Sequence, residues 1–260
     1  MKILELDQGN TRAKWRLINV PDSSAGHSET EVADRGVLAP GEWWDAESLP
    51  AAWSEHAPSR VRVANVAGVS VAESIAARLR SALGVSVEFA RVTAECGGVR
   101  CAYQDVSRLG VDRWLAVLAA YRRAPAPALV VDCGSAVTLD LLGADGQHLG
   151  GYIVPGLGLM RRALYSDTDA VKVAPPVQPE ISLSPGRNTA EAVNRGLPLM
   201  VLGAVERAYD ALAHQCAVEG AARPRLLFCG GDGSLLAPWC DRPSEVVEDL
   251  VMEGLAVTNP

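Results

Sequence analysis

The sequence predicts an α/β protein built from two halves that echo one another, and three observations carry this. Apolar runs of strand length interleave with amphipathic runs of helix length in both halves of the 260-residue chain. An opening pattern (apolar strand, Asp, any residue, Gly, small polar residue, second strand) occurs over residues 2–19 and returns over 128–142, with Asp7 and Gly9 matching Asp132 and Gly134. Between the copies lies APAPA at 124–128, whose alternating prolines break any helix and divide residues 1–123 from 124–260.

In the first half, residues 2–7 (KILELD) alternate, QGNT turns, and 12–19 (RAKWRLIN) alternate again, which predicts a β-hairpin with a Gly-Asn turn. Residues 60–67 predict a strand. Ser70 and Glu73 form a capping box opening a helix to Leu83, with Ile75, Leu79 and Leu83 on one face. Residues 86–92 predict a further strand, 93–107 a loop, and 108–123 a segment ending in a strong helix. In the second half, strands are expected at 128–132, 137–142 and 147–153, followed by a Gly-rich turn, PGLG, at 155–158. A helical region interrupted near Gly196 and Pro198 spans 188–218, entered through a capping box of Asn188 and Glu191. LLFCG at 226–230 predicts a buried strand, GGDG a turn, 245–248 a strand, and the end a helix.

Composition narrows the function. Apolar residues make up 48% and charged residues 21%, ordinary for a globular protein with a sizeable core. The net charge is −7, from 24 basic and 31 acidic residues, and the 21 arginines are scattered. Only Lys2, Lys14 and Lys172 are lysines. A nucleic-acid binder needs a basic stripe, so DNA and RNA are not the expected partners. Glu5 and Asp7 interrupt the opening apolar run too early for a signal peptide, and no run approaches the roughly 18 residues of a membrane helix. A cytoplasmic protein with no membrane partner is expected. Cys96 and Cys101 are the only close pair of cysteines, and His27, His56, His148 and His214 add no ligand cluster, so the six cysteines read as reduced, mostly buried thiols.

Several short elements could carry chemistry. In DQGNTRAK, residues 7–14, Gly9 can take positive φ and admit a phosphate to the backbone, Asn10 and Thr11 add donors, Lys14 adds a compact charge, and Asp7 could hold a cation. The same residue types also suit a hairpin turn for its own sake. DCGSAVT, residues 132–138, repeats that logic. In GVDR, residues 110–113, Asp112 could accept a proton from an attacking hydroxyl and Arg113 could fork onto a substrate anion. Equally, Asp112 could only complement a helix N-terminus while Arg113 lies on a solvated face. No P-loop and no Rossmann glycine turn is present, so a nucleotide would need another cradle.

The order and spacing of five motifs resemble the type III pantothenate kinases: Asp-x-Gly-Asn-Thr at residue 7, Gly-x-Asp-Arg at 110, Asp-x-Gly-Ser-Ala at 132, Gly-Gly-Tyr-Ile-x-Pro-Gly at 150 and Gly-x-Asn-Thr at 186. The match runs from residue 3 to about 233. The resemblance implies the acetate and sugar kinase, Hsp70 and actin superfamily fold: two duplicated ribonuclease H-like (actin-like) domains, here 1–123 and 124–260, with a nucleotide cleft between them. It implies ATP-dependent phosphorylation of pantothenate to 4′-phosphopantothenate, the first step of coenzyme A biosynthesis, in a homodimer. It also implies ATP with Mg2+ and a monovalent cation, K+ or NH4+. By position, Asp7, Gln8, Gly9, Asn10, Thr11, Arg12, Ala13 and Lys14 resemble the ATP phosphate loop, and Ser135 a further ATP contact. Asp112 resembles the catalytic base. Tyr103, Gly110, Val111, Asp112, Arg113 and Thr189 resemble the pantothenate site, and Asp132 the monovalent-cation ligand. Ser135 stands where many relatives have threonine, which keeps the hydroxyl. Residues 21–55 carry no family signal. The rivals are a kinase or phosphatase of the same superfamily with another substrate, and a non-catalytic regulatory protein on this fold; the retained Asp7, Lys14, Asp112 and Asp132 argue against the latter.

Overall fold

Strands β1 (Lys2–Gln8) and β2 (Ala13–Asn19) form the expected hairpin, with Asp7 directly opposite Lys14 and Gln8 opposite Ala13. The computed structural model describes residues 1–21, 31–38, 43–166 and 181–260, so His27 and Lys172 lie outside the described residues. Strand β3 (Glu31–Leu38) joins β2 antiparallel. A short helix α1 (Ala51–His56) precedes β4 (Arg60–Asn65), which runs parallel to β1. Helix α2 (Val69–Leu83) then leads to β5 (Val87–Phe89), parallel to β4.

Helix α2 buries Ile75 and Leu79 as its periodicity predicts, but its start differs from expectation. Gly68, at φ +103°, occupies the cap, and no side chain caps the helix. Asn65 organises the turn instead: its amide donates to the Gly68 carbonyl at 2.8 Å and its Oδ1 accepts from the Ala67 N–H at 3.1 Å. That fixes the entry before Ser70, which falls within the first turn and forms no capping box.

Residues 93–107 hold more than a loop. Strands β6 (Glu95–Cys96) and β7 (Val99–Arg100) form a small ribbon. Gly97 and Gly98, at φ +55° and +81°, make its two-residue turn. A Gly-Gly pair is a hairpin signal in its own right. Helix α3 (Val111–Arg123) follows.

The second sheet repeats the first. Strand β8 (Ala128–Cys133) pairs antiparallel with β9 (Ala136–Leu142), and β9 with β10 (His148–Pro155). Helix α4 (Leu157–Ser166) begins inside the segment expected to be only a Gly-rich turn. Helix α5 (Thr189–Val218) precedes β11 (Arg225–Cys229), which is parallel to β8. Helix α6 (Gly233–Leu236) leads to β12 (Glu245–Val246), parallel to β11, and α7 (Leu250–Thr258) closes the chain. The strand orders are β3-β2-β1-β4-β5 and β10-β9-β8-β11-β12, with the same sequence of antiparallel and parallel pairings. This is the ribonuclease H-like arrangement, present twice.

Helix α5 is one 30-residue helix, with no break at Gly196 or Pro198. Proline inside a helix costs about 3 kcal/mol. Against this, α5 buries Leu197, Val201, Leu202, Val205, Leu212 and others on one face. Each such side chain is worth about 1.5–3 kcal/mol, so packing outweighs the local defect.

The described residues gather into two compact units, and the chain crosses between them more than once. Unit 1 holds residues 1–93, 105–116 and 251–260; unit 2 holds 94–104 and 117–250. The unit 1 core packs β1, β2 and β4 against α2, with Trp53 edge-on to Trp15 and Trp43 at 5.8 and 5.7 Å. The unit 2 core packs Leu129, Val131 and Phe228 against α5.

Candidate active site

The first hairpin turn is short and stiff. The Gly9 N–H donates to the Arg12 carbonyl at 3.1 Å, closing a four-residue loop. Gly9 does not use positive φ, contrary to expectation. Its glycine serves proximity instead, because a Cβ there would meet the Arg12 carbonyl at 3.2 Å. Asn10, Thr11 and Arg12 are exposed, Ala13 is buried, and Lys14 is half-buried opposite Asp7. Gln8 is buried and fixes the turn from behind: its Oε1 accepts from Trp43 Nε1 at 2.7 Å and its Nε2 donates to the Gly9 carbonyl at 2.8 Å. The turn thus presents a row of donors on a frame held by the core.

Beneath it, on the alternate positions of the sheet, lies a buried charge cluster. Glu5 is 0% exposed and accepts from Arg16 at 2.7 Å and from Arg62 at 3.3 Å. Burial pushes the Arg62 guanidinium below its ordinary range, and Glu5 pulls it back up.

Asp112 and Arg113 open α3 in the same unit. Asp112 Oδ1 accepts from the Arg113 N–H at 2.8 Å, so the carboxylate does complement the helix start, while the side chain is half-buried. Arg113 is only 5% exposed, which excludes the solvated-face reading. A burial cost of that size requires compensation for the guanidinium. Gly110 leaves room for the Asp112 carboxylate, which a Cβ at residue 110 would crowd. Val111 begins the helix, half-buried.

In unit 2, three glycine motifs that are separate in sequence meet around one turn. The Gly134 N–H donates to the Ala136 carbonyl at 3.0 Å, and the Gly156 N–H donates to the Ser135 carbonyl at 3.1 Å. A Cβ on Gly156 would overlap the Gly134 carbonyl. From the other side, the Asp232 N–H donates to the Cys133 carbonyl at 2.9 Å, and a Cβ on Gly230 (φ +82°) would overlap the Asp132 carboxylate. Asp132 is half-buried at the end of β8, and Ser135 is exposed at the turn. Burial drives the Cys133 thiol pKa far up, with Asp132 and Asp232 adding to it, which keeps it a packing residue. Asp232, half-buried beside the Asp132 turn, is a further carboxylate that the motif reading did not single out. Its signal was the Asp inside the Gly-Gly-Asp-Gly that follows an apolar strand.

Thr189 is the exposed first residue of α5. Asn188 caps that helix by accepting from the Glu191 N–H at 2.9 Å, and Glu191 accepts from the Arg187 N–H at 2.9 Å. The latter bond holds the Glu191 carboxyl below the usual carboxylate range. A Cβ on Gly186 would overlap the Ala192 backbone, so the Gly-x-Asn-Thr motif needs its glycine for close approach to the start of α5. Tyr103 is half-buried, its ring parallel to that of His148. Among the described residues no group of three or more His, Cys, Asp or Glu side chains is arranged to hold a metal ion.

The chain is similar to known proteins over most of its length. The family model for type III pantothenate kinase matches residues 3–211. A type III pantothenate kinase of Chromohalobacter salexigens is 41% identical over 259 residues, covering 99% of this chain and 87% of that protein. One from Pseudomonas paraeruginosa is 40% identical over 267 residues, covering 99% of both. Among solved structures, a Campylobacter jejuni protein described as a Baf family transcriptional activator superposes with a TM-score of 0.57 at 20% identity, over 97% of this chain and 95% of that one, a likeness of fold. With the duplicated sheets and the ordered motifs, these matches establish that the chain belongs to the type III pantothenate kinase family.

Proposed function

We propose that this protein transfers the γ-phosphate of ATP to the primary hydroxyl of pantothenate, giving 4′-phosphopantothenate and ADP, the first step of coenzyme A biosynthesis. The observation that carries the residue-level reading is the start of α3, where a half-buried Asp112 carboxylate sits next to a buried Arg113 guanidinium. Asp112 orients the hydroxyl and takes its proton as the oxygen–phosphorus bond forms and the bond to the β–γ bridging oxygen breaks. Arg113 pairs with the substrate carboxylate, and Tyr103, Gly110, Val111 and Thr189 complete the pantothenate contacts. Residues 7–14 cradle ATP phosphates through turn N–H groups and Lys14, and Ser135 adds a hydroxyl donor. Most of the rate comes from positioning and charge neutralisation, as phosphoryl transfer requires.

Magnesium bound with a nucleotide keeps several waters and needs only one or two protein carboxylates, a demand that Asp7 at the end of β1 could meet. Bound there, it would neutralise charge on the phosphates. Asp132, at a turn rich in backbone carbonyls, is our candidate ligand for K+ or NH4+. Unit 2 also exposes Tyr152 and Ile153 on β10 and Leu199 and Met200 on α5, each more than half exposed, and such exposed apolar side chains support a homodimer. No helix among the described residues is long and apolar enough to cross a membrane, and we place the enzyme in the cytoplasm.

The test is ADP release from ATP, with and without pantothenate, in potassium and then in sodium. Turnover requiring pantothenate and stimulated by potassium is expected. ATP turnover indifferent to pantothenate would discard the substrate, and equal rates in both salts would discard the monovalent site.

A further inference from the structure

We propose that His148 is a positioning residue for pantothenate, acting through Tyr103. This rests on the reading of Tyr103 as a substrate contact. His148 is the first residue of β10 and is 0% exposed. Its Nε2 lies 3.0 Å from Oδ1 of Asp140, itself 1% exposed on β9. Its Nδ1 lies 3.5 Å from the Ala102 backbone N–H. An N–H pointing at Nδ1 requires that nitrogen to be the acceptor, which assigns the ring proton to Nε2, donated to Asp140. The imidazole is thereby held at both ends, one on the sheet and one on the residue preceding Tyr103. Its face meets the Tyr103 ring almost parallel, with 6.4 Å between centroids and 6° between planes.

The rest of the tyrosine segment is anchored one step earlier. The Arg100 N–H donates to the Gly146 carbonyl at 3.0 Å, the Arg100 guanidinium pairs with Asp145 at 2.5 Å, and Gln147 Nε2 donates to the Arg100 carbonyl at 3.3 Å. A Cβ on Gly146 would overlap the Gly98 carbonyl, so the ribbon and the β9–β10 turn are in close contact. With the Cys101 N–H donating to the Ala94 carbonyl at 2.9 Å, these bonds fix the chain as far as residue 101. Beyond it, the Ala102 N–H and the face of His148 help to set the direction in which Tyr103 points. A buried histidine that only filled space would not need this pairing, since an aromatic hydrocarbon ring fills the same volume without two polar atoms to satisfy.

The experiment measures steady-state kinetics and melting temperature in the full chain for His148→Phe, His148→Gln, Tyr103→Ala and the pair His148→Phe/Tyr103→Ala. His148→Phe keeps a ring and loses both hydrogen bonds, and should raise KM for pantothenate about five- to tenfold, with KM for ATP and kcat within about twofold. His148→Gln retains an amide for Asp140 but no ring face, should give a smaller rise of the same kind, and serves if the phenylalanine variant does not fold. In the Tyr103→Ala background, the His148 change should add nothing. If Tyr103→Ala raises KM for pantothenate but neither His148 variant does, or if they shift both substrates equally, the proposal fails while the tyrosine reading stands. If Tyr103→Ala leaves KM for pantothenate unchanged, the tyrosine reading fails and takes the proposal with it.

Discussion

The two sheets share one topology and differ at the positions that do chemistry. Register makes the positions comparable: Asp7 faces Lys14 across the first hairpin, and Asp132 faces Thr138 across the second. Two residues back, Glu5 faces Arg16 and Arg62, whereas Val130 faces Asp140 and Leu227. Unit 1 therefore has a cationic hairpin over a buried Arg–Glu–Arg cluster. Unit 2 has a shorter turn without lysine, tied down by Gly156 and Asp232, over an Asp140–His148 pair. A repeated backbone thus supports different chemistry, because topology fixes where a side chain points and leaves open what it is.

The sharpest test of that asymmetry compares one carboxylate from each unit. Asp112→Asn should lower kcat about 100- to 10,000-fold with an unchanged melting temperature, the usual worth of a general base. Asp132→Asn should instead lose its response to potassium while retaining sodium-level turnover. Equal kcat losses in both variants would erase the distinction between base and cation ligand.

Next in size is the difference between the buried clusters. Glu5→Gln removes the buried carboxylate that Arg16 and Arg62 share and should cost about 3–5 kcal/mol in urea unfolding. Asp140→Asn keeps an oxygen for His148 and should cost about 1 kcal/mol. A Glu5→Gln cost as small as that of Asp140→Asn would show that the cluster contributes little.

The hairpin partners come third. Lys14→Met removes a charged donor worth about 1.5–3 kcal/mol, so kcat/KM for ATP should fall about 10- to 100-fold. The equivalent change in the other unit, Thr138→Val, should stay within about threefold. The smallest effect is on stability against pH. The hydrogen bond from Arg60 holds the Glu88 carboxyl below the usual range in unit 1, and the Gln147 N–H does the same for Asp145 in unit 2. Both groups bind their protons less readily folded than unfolded. Their contribution is present above the unfolded value, about pH 4, and lost as pH falls through the depressed folded values. The melting temperature should therefore drop below about pH 4, and Glu88→Gln should flatten part of that slope.

What the sequence determined by itself was whatever depends on near neighbours. Alternation located β1 and β2, the returning strand–Asp–x–Gly–strand pattern located β8 and β9, helical spacing located Ile75 and Leu79, and Asn188 with Glu191 marked the start of α5, because each signal lies within a few residues. The motif order also pointed to the family. The misses have the same cause in reverse. Asn65 displaced Ser70 at the α2 cap, and the face buried along α5 overrode Pro198. Proximity rather than φ explained Gly9, and the Gly-Gly turn at 97–98 passed unread. Only the tertiary structure decided that Gly156 and Gly230 close around the Asp132 turn, that Arg113 is buried, and that His148 backs Tyr103 from 45 residues away along the chain. Those relations depend on sheet register and packing between distant segments, and no local pattern encodes which distant backbone a glycine must admit.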